Sequence, residues 1–210
     1  MTIKPLGGML KIKRRGEDKV ANPAKIYCPS CGEDVDYFVM VSGGEEIAHC
    51  ANCGLILQLQ DQKKEQKIRT LQYVIAAEDS PLLLKTIAKM MQEKGIAKEV
   101  ESCKNGEEFI TKATERIKQN QQISMAILDV AMPILNGINA TVIFRALEKG
   151  FDRKRLTPVL FFTSYKCDDT FKKVLKYTAP AKYINKGAGA SPEQFAERLY
   201  QVIYQLLAEQ

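Results

Sequence analysis

The sequence lacks several features that would place it in common classes of protein. No apolar run approaches the ~20 residues that a membrane-spanning helix needs, and the stretch after Pro5 is too short and too polar at its flanks for a signal-peptide core. The chain has a single histidine, His49, and no nucleotide-binding signature. We therefore expect a cytoplasmic protein without membrane insertion.

The charge distribution gives little support for nucleic-acid binding. The formal charge is only +6, and part of it comes from the run Lys11-Ile-Lys-Arg-Arg15 near the N-terminus. No dense basic stripe continues into the body of the chain, so an extended nucleic-acid groove is not indicated. Residues 1–25 are polar, basic and interrupted by glycine and proline, which predicts a flexible arm.

What is present favours two modules. A length of 210 residues fits one large domain or two smaller ones, and 45% hydrophobic residues can form a core. Residues 61–70 are strongly polar without an apolar stripe, which predicts a linker. This divides the chain into a small unit at 26–60 and a larger one at 71–210.

Four of the six cysteines are spaced like metal ligands. Cys28 and Cys31, and then Cys50 and Cys53, form two Cys-x-x-Cys-Gly turns. Each turn can present two thiolates to one ion, and two turns complete a tetrahedral sulfur shell that suits Zn²⁺. The doubled motif resembles the zinc-ribbon family, which implies a structural zinc because four ligands leave no open position.

The residues between the turns predict a small β module. Residues 37–41 and 47–49 have strand composition around the hairpin turn at 42–46, and alternating leucines at 55–59 predict a third strand. With four thiolates present, His49 is interpreted as a bystander. So small a module has little core, and a metal would supply much of its stability.

Beyond the linker, strand and helix patterns alternate regularly. Ser80 and Pro81 are typical of a helix start, as N-cap and first helical residue. We predict strands at 72–77, 96–100, 123–129, 158–163 and 181–186, each followed by a helix. This order predicts an α/β fold, a doubly wound (βα)5 parallel sheet in the flavodoxin-like arrangement.

Polar groups follow the carboxyl ends of these strands. The first strand is followed by Glu78 and Asp79, the third ends in Asp129, the fourth in Thr163 and the fifth in Lys186. In a parallel sheet these residues share one edge. Clustered carboxylates bind Mg²⁺, and a nearby ammonium and hydroxyl suit phosphoryl transfer onto a carboxylate.

Residues 71–210 resemble the receiver domain of bacterial two-component response regulators. The motif includes Pro133, four residues after Asp129, and the Asn136-Gly137 turn. The resemblance implies that Asp129 is the phosphoacceptor. It further implies Mg²⁺ binding by Asp79, Asp129 and the main-chain carbonyl of Ala131, with Glu78 acting through water, and a switch set of Thr163, Tyr183 and Lys186.

One position departs from the family pattern. The family usually has proline after the lysine, often across a cis bond, whereas Gly187 follows Lys186 here. A cis bond before glycine would cost about 2.5–4 kcal/mol. We therefore predict a trans bond at this position.

The resemblance implies a signalling switch rather than an enzyme. A partner histidine kinase, or a phosphotransfer protein, would donate the phosphoryl group, and output would pass through protein contacts on the receiver or through the ribbon. No effector domain is expected after the last helix. An aspartate-based phosphatase is disfavoured because Ala131 stands where that chemistry wants a second aspartate. Cys103 and Cys167 are interpreted as ordinary thiols.

Two alternatives concern output. A degenerate receiver could serve as a docking scaffold, although no acidic, hydroxyl or lysine position is missing. Alternatively, the ribbon could bind nucleic acid through the basic run together with Lys25, Tyr37 and Phe38. The ribbon's acidic residues would repel phosphates, so protein docking is favoured.

Overall fold

The computed structural model describes residues 25–42, 44–57, 69–187 and 191–208. The predicted arm therefore lies outside the described residues except for Lys25, and so does most of the predicted linker. None of the helices in these described ranges is long and apolar enough to cross a membrane.

The cysteine-rich part of the chain forms two small antiparallel sheets. Strands β1 (Ile26–Cys28) and β2 (Glu33–Val35) pair across the first cysteine turn, and β3 (Tyr37–Ser42), β4 (Glu45–Cys50) and β5 (Ile56–Leu57) make a three-stranded sheet. The predicted hairpin is confirmed, with Val39 opposite Ala48. The β1–β2 hairpin was not predicted, because strands this short carry no periodic signal. Leu59 of the predicted third strand lies outside the described residues.

The rest of the chain folds around a five-stranded parallel sheet. Its strands are β6 (Leu71–Ala77), β7 (Ala97–Cys103), β8 (Met125–Asp129), β9 (Val159–Thr163) and β10 (Ala181–Asn185). The spatial order is β10-β9-β8-β6-β7, with every pairing parallel. This is the predicted doubly wound, flavodoxin-like α/β fold.

Five helices connect and flank these strands. They are α1 (Pro81–Glu93), α2 (Gly106–Lys118), α3 (Gly137–Gly150), α4 (Asp169–Tyr177) and α5 (Pro192–Ala208). A side chain caps each of the five at the N-terminus, because each helix begins with backbone N–H groups that lack helical partners. The caps are Ser80, Asn105, Asn136, Asp168 and Ser191.

The central strands are buried on both faces. All residues of β8 and β9 are buried, and so are all but one of β6. Phe109 of α2 and Phe144 of α3 meet edge to face at 5.2 Å between ring centroids. Such a rigid core holds the strand ends in fixed relative positions, which is what a site at the sheet edge requires.

Candidate functional site

Three carboxylates meet at the carboxyl edge of the sheet. Glu78 and Asp79 follow β6, and Asp129 ends the neighbouring strand β8, where Ala77 pairs with Leu128. One oxygen of each carboxylate lies within 4.8 Å of the others. Glu78 is 2% exposed and Asp129 4% exposed, whereas Asp79 faces solvent. The structure thus brings together the acidic residues that the sequence placed at this edge.

Lys186 supplies the positive charge beside these acids. Its Nζ lies 2.7 Å from Oε2 of Glu78 and 2.9 Å from Oδ2 of Asp129. Burial lowers the pKa of the ammonium, but hydrogen bonds with the two carboxylates outweigh burial and leave the pKa above its usual value. The lysine is therefore a fixed cation in this site.

The pKa of Glu78 is also raised, but for a carboxyl group this favours the neutral form. Burial raises the pKa of its carboxyl above the ordinary value, and the neighbouring Lys186 offsets only part of that effect. Its other oxygen, Oε1, accepts a hydrogen bond from the backbone N–H of Ser80 at 3.2 Å.

Strand β9, next to Asp129, places the hydroxyl, and the edge strand β10 beyond it places the lysine. Thr163 ends β9 and is fully buried, and its Oγ1 accepts a hydrogen bond from the N–H of Tyr165 at 3.2 Å. The backbone N–H of Lys186 donates to the carbonyl of Thr163 at 2.7 Å. Thr163 and Lys186 are therefore coupled through the main chain as well as by their shared edge.

The loop after Asp129 is held close to the site. Ala131 is exposed and follows Val130, whose carbonyl accepts a hydrogen bond from the N–H of Gly137 at 3.2 Å. The predicted turn at Asn136 is the N-cap of α3, with Oδ1 accepting from the N–H of Asn139 at 2.9 Å. This cap directs the start of α3 at the end of β8.

Gly187 has a local reason for replacing proline. The only cis peptide bond in the described ranges joins Ala179 and Pro180, so the predicted trans bond before Gly187 is confirmed. The N–H of Gly187 donates to Oδ1 of Asn185 at 2.7 Å, and its φ is +21°. Proline has neither the N–H nor access to that φ.

Tyr183 lies on the edge strand, and its side chain reaches the cysteine turns. The side chain is 2% exposed, and its ring meets Phe171 edge to face at 5.8 Å. The hydroxyl donates to Sγ of Cys31 at 3.2 Å. Burial raises the pKa of this tyrosine. The predicted switch aromatic is thus in direct contact with the cysteine cluster.

The carboxylate cluster fits a hard divalent cation. Three carboxylates lie close together with Lys186 beside them, which leaves a net negative charge at this edge of the sheet. Oxygen ligands of this kind bind Mg²⁺, and exposed Asp79 keeps one side open to water and substrate.

The four cysteines fit a tetrahedral metal. Their sulfur atoms lie within 4.8 Å of one another, with 3.6 Å between Cys28 and Cys53 and 3.7 Å between Cys31 and Cys50. Zn–S bonds of about 2.3 Å in a tetrahedron separate the sulfurs by about 3.8 Å, so the spacing matches.

Hydrogen bonds and neighbours support this reading of the cysteine turns. The N–H groups of Cys31 and Cys53 each lie 3.4 Å from the sulfur three residues earlier, as donors to Cys28 and Cys50. All four are free cysteines. His49 stacks on Phe38 and approaches the carbonyl of Gly54, which keeps it out of the cluster.

Cys103 and Cys167 are separate buried thiols. Burial raises the pKa of each to about 12, so both stay protonated and unreactive at neutral pH.

Three residues that the sequence did not single out join the two parts of the chain. Ser30, Asn185 and Arg198 exchange hydrogen bonds across the boundary between the cysteine turns and the five-stranded sheet. Of the three, only Arg198 could have been noticed in the sequence, since it occupies a buried position next to Leu199 on the apolar stripe of α5. Such a position makes a buried cation that needs partners.

Comparison with known proteins identifies the family. The profile described as the response regulator receiver domain matches residues 74–199, more than half of the chain. The chain belongs to this family, and the match supports a role in two-component signalling.

Solved structures support the same fold. The receiver domain of the histidine kinase CKI1 from Arabidopsis thaliana, complexed with Mg²⁺ and BeF₃⁻, is 18% identical, with a TM-score of 0.55 over 65% of this chain and 90% of that one. A two-component response regulator from Cytophaga hutchinsonii, also 18% identical, gives 0.53 over 67% and 99%. Identities this low show the fold alone. No curated protein matches the sequence.

Proposed function

We propose that this chain is a phosphorylation-controlled signalling switch in which Asp129 accepts a phosphoryl group from a histidine kinase or phosphotransfer protein. The observation that carries the proposal is the cluster of Glu78, Asp79 and Asp129 with Lys186 between two of its members. A receiver of this kind works in the cytoplasm, where its free thiols stay reduced.

The transfer replaces one phosphorus bond by another. A carboxylate oxygen of Asp129 attacks the phosphorus of a phosphohistidine, and a P–O bond forms as the P–N bond breaks. The imidazole leaves with the electron pair and takes a proton from solvent. Lys186 stays charged and stabilises the added negative charge, so positioning and electrostatics carry the reaction.

Magnesium would be held by Asp79, Asp129 and the main-chain carbonyl of Ala131, with Glu78 acting through water. When bound, it would neutralise the repulsion among the carboxylates and the charge of the incoming phosphoryl group. Exposed Asp79 leaves the approach open to a partner protein.

The switch follows from the new phosphoryl oxygens. The hydroxyl of Thr163 gives up its contact with the N–H of Tyr165 and donates to a phosphoryl oxygen, and Tyr183 then moves toward the vacated space. This changes the face formed by α4, β10 and α5, which partners read. The protein is a switch that assists its own phosphorylation, not an enzyme acting on a separate substrate.

Intact-mass analysis tests the acceptor. With Mg²⁺ and acetyl phosphate, the chain should gain one phosphoryl group, and Asp129→Asn should gain none. Asp152→Asn, an exposed aspartate beyond α3, is the matched control and should behave like the unmodified chain. A folded chain without mass gain would instead support the degenerate-receiver alternative.

The four clustered cysteines are proposed as a structural Zn²⁺ site. Metal analysis of the purified chain should find one zinc per chain, and Cys53→Ser should lose it. Cys167→Ser, a buried cysteine outside the cluster, should keep the metal. Equal zinc content in both variants would contradict the assignment.

Protein docking is the proposed role of the ribbon, with nucleic acid as the alternative. The acidic side chains of Glu33, Asp34 and Asp36 occupy this module and oppose phosphate binding. A steep loss of DNA or RNA affinity with rising salt, measured on the full chain, would overturn this preference.

A further inference from the structure

The cysteine unit, residues 25–42 and 44–57, lies against the edge strand β10. This strand is the last in the sheet order, so one side of its backbone lacks a strand partner. Ser30 fills that role, because its Oγ donates to the carbonyl of Tyr183 at 2.5 Å and its carbonyl accepts from the N–H of Asn185 at 2.8 Å. The cysteine unit thereby satisfies polar groups of an otherwise open edge.

A buried arginine fastens the same contact from α5. Arg198 is 4% exposed, and it donates through Nε to the carbonyl of Pro29 at 2.8 Å and through Nη2 to the carbonyl of Asn185 at 2.9 Å. Its guanidinium also occupies the space beside Gly32, where a Cβ would lie 2.6 Å away. A buried charge needs such partners, and here they come from both parts of the chain.

Further contacts extend the interface across the docking face, which consists of α4, β10 and α5. Gln205 of α5 accepts from the N–H of Ile56 at 3.0 Å and donates to its carbonyl at 2.7 Å. Lys172 of α4 donates to the carbonyl of Ala51 at 3.1 Å, and Lys166 pairs with Glu33 at 3.0 Å. The cysteine unit therefore covers the face that the proposed switch would use for output.

A short covalent path leads from these contacts to the carboxylates. Asn185 is bound through its N–H by Ser30 and through its carbonyl by Arg198, and its side chain donates to the carbonyl of Tyr165 at 3.0 Å. The next residue is Lys186, whose ammonium contacts Asp129. Asn185, which binds the cysteine unit, is thus directly followed in the chain by Lys186, whose ammonium contacts the proposed acceptor Asp129.

We propose that the cysteine unit is an internal partner of the docking face and that its docking opposes phosphorylation of Asp129. The contacts of Ser30 and Arg198 fit the end of β10 as it lies with Lys186 on a free carboxylate. A phosphoryl group places its oxygens farther out, so Lys186 and Thr163 follow them and the end of β10 shifts. That shift breaks docking contacts, so phosphorylation weakens docking. By thermodynamic linkage, loss of docking favours phosphorylation by the same free energy.

The inference rests on Asp129 being the acceptor, so its test reports on both. Hydrogen–deuterium exchange is measured on the full zinc-loaded chain with Mg²⁺ alone and with Mg²⁺ plus beryllofluoride, a phosphoryl mimic. Intact mass after acetyl phosphate is recorded in parallel. We expect faster exchange in residues 26–35 and 198–206 with the mimic, and unchanged exchange in α2.

The possible results distinguish the coupling from the proposed switch. Phosphoryl gain with unchanged exchange at the interface would overturn the coupling while leaving the switch intact. Slower exchange at the interface would overturn the stated direction. Absence of phosphoryl gain in the folded chain would overturn both claims.

The reverse coupling is tested with variants outside the phosphorylation site. Ser30→Ala, Glu33→Gln and Gln205→Ala together remove docking contacts, and Thr111→Ala, Glu107→Gln and Gln201→Ala make a matched control on α2 and the exposed side of α5. At limiting acetyl phosphate, the docking variant should reach an acyl-phosphate to free ratio about two- to five-fold higher. Equal ratios with confirmed undocking would overturn the proposal.

Discussion

Glu78 keeps its carboxylate almost wholly buried, with Lys186 as the neighbouring cation. Because its pKa is raised in the folded chain, the folded state is favoured while the carboxyl is protonated. That advantage disappears as the pH rises through the folded-state pKa. When it is ionised, the buried carboxylate therefore costs stability, which a bound magnesium ion would offset.

The first prediction concerns this cost. Without magnesium, Glu78→Gln should raise stability by about 1 kcal/mol near neutral pH, about 2–4 °C in Tm, because a neutral amide replaces a buried ion. The gain should shrink as the pH falls, since the native carboxyl is then protonated too. Thermal unfolding between about pH 4 and about pH 8 measures it. Glu115→Gln, on the exposed side of α2, is the control, and an equal gain in both variants would contradict the argument.

The second prediction concerns Gly187. Gly187→Pro removes the N–H that serves Oδ1 of Asn185 and should cost about 1–3 kcal/mol in the free energy of unfolding. Gly187→Ala keeps the N–H and should cost less, although its Cβ would lie 2.9 Å from the same oxygen. Urea denaturation compares the two variants. Equal losses would mean that backbone geometry, not the hydrogen bond, sets the requirement for glycine.

At the scale of elements, the start of α3 fixes the position of Asp129, the proposed phosphoacceptor. A Cβ on Gly137 would lie 2.1 Å from the carbonyl oxygen of Asp129, so only glycine lets the helix begin this close to β8. The far end of the same helix has room, because a Cβ on Gly150 would meet nothing within 4 Å.

The third prediction uses these two glycines as a pair. Gly137→Ala should lose about 1–3 kcal/mol of stability and reduce phosphorylation, because α3 must move away from the end of β8. Gly150→Ala should be neutral or gain up to about 1 kcal/mol, since alanine favours the helix. Urea denaturation and intact mass check both variants. A Gly137→Ala chain that is phosphorylated normally would show that the position of α3 is not critical.

The end of one strand, β7, was predicted wrongly from the sequence. β7 was predicted to stop at residue 100, but it continues to Cys103. It forms an edge of the sheet, and exposed or half-buried Lys98, Glu99 and Glu101 interrupt the apolar run that marks a buried strand. Strands β6, β8, β9 and β10 were located to within two residues at each end.

At the scale of the whole molecule, the cysteine cluster and the face formed by α4, β10 and α5 meet at Cys31. This residue belongs to the four-sulfur cluster and accepts the hydroxyl of Tyr183. Because the small sheets bury few side chains, we expect order in the cysteine unit to depend on an ion bound in the proposed structural site.

The fourth prediction follows from that dependence. Chelation of zinc should unfold the cysteine unit and increase exchange in α5 near Arg198, whereas the parallel sheet should keep its protection. Phosphorylation of Asp129 should persist and reach a higher level at limiting donor. Exchange mass spectrometry with intact mass reads both effects, with the untreated and zinc-restored chain as controls. Loss of phosphorylation on chelation would show that the receiver needs the ribbon to stay folded.

The sequence alone was sufficient to predict the parallel sheet, its strand order and the shared edge of Glu78, Asp79, Asp129, Thr163 and Lys186. Periodic apolar runs mark buried strands, and chain connectivity in a parallel sheet brings their carboxyl ends together. The cysteine cluster could also be predicted from short stretches of sequence, because two short motifs carry all four sulfurs. Residues that act within one helix or strand, or just after it, produce sequence patterns from which their positions can be predicted.

Only the tertiary structure decided how the two parts meet. The contacts of Ser30 with β10 and of Arg198 with Pro29 join residues far apart in sequence, and no spacing rule relates them. They depend on the shapes of two folded surfaces and on which polar groups each leaves without a partner. The sequence therefore determined the sheet and both clusters, while tertiary packing placed the cysteine unit on the face beside the proposed switch.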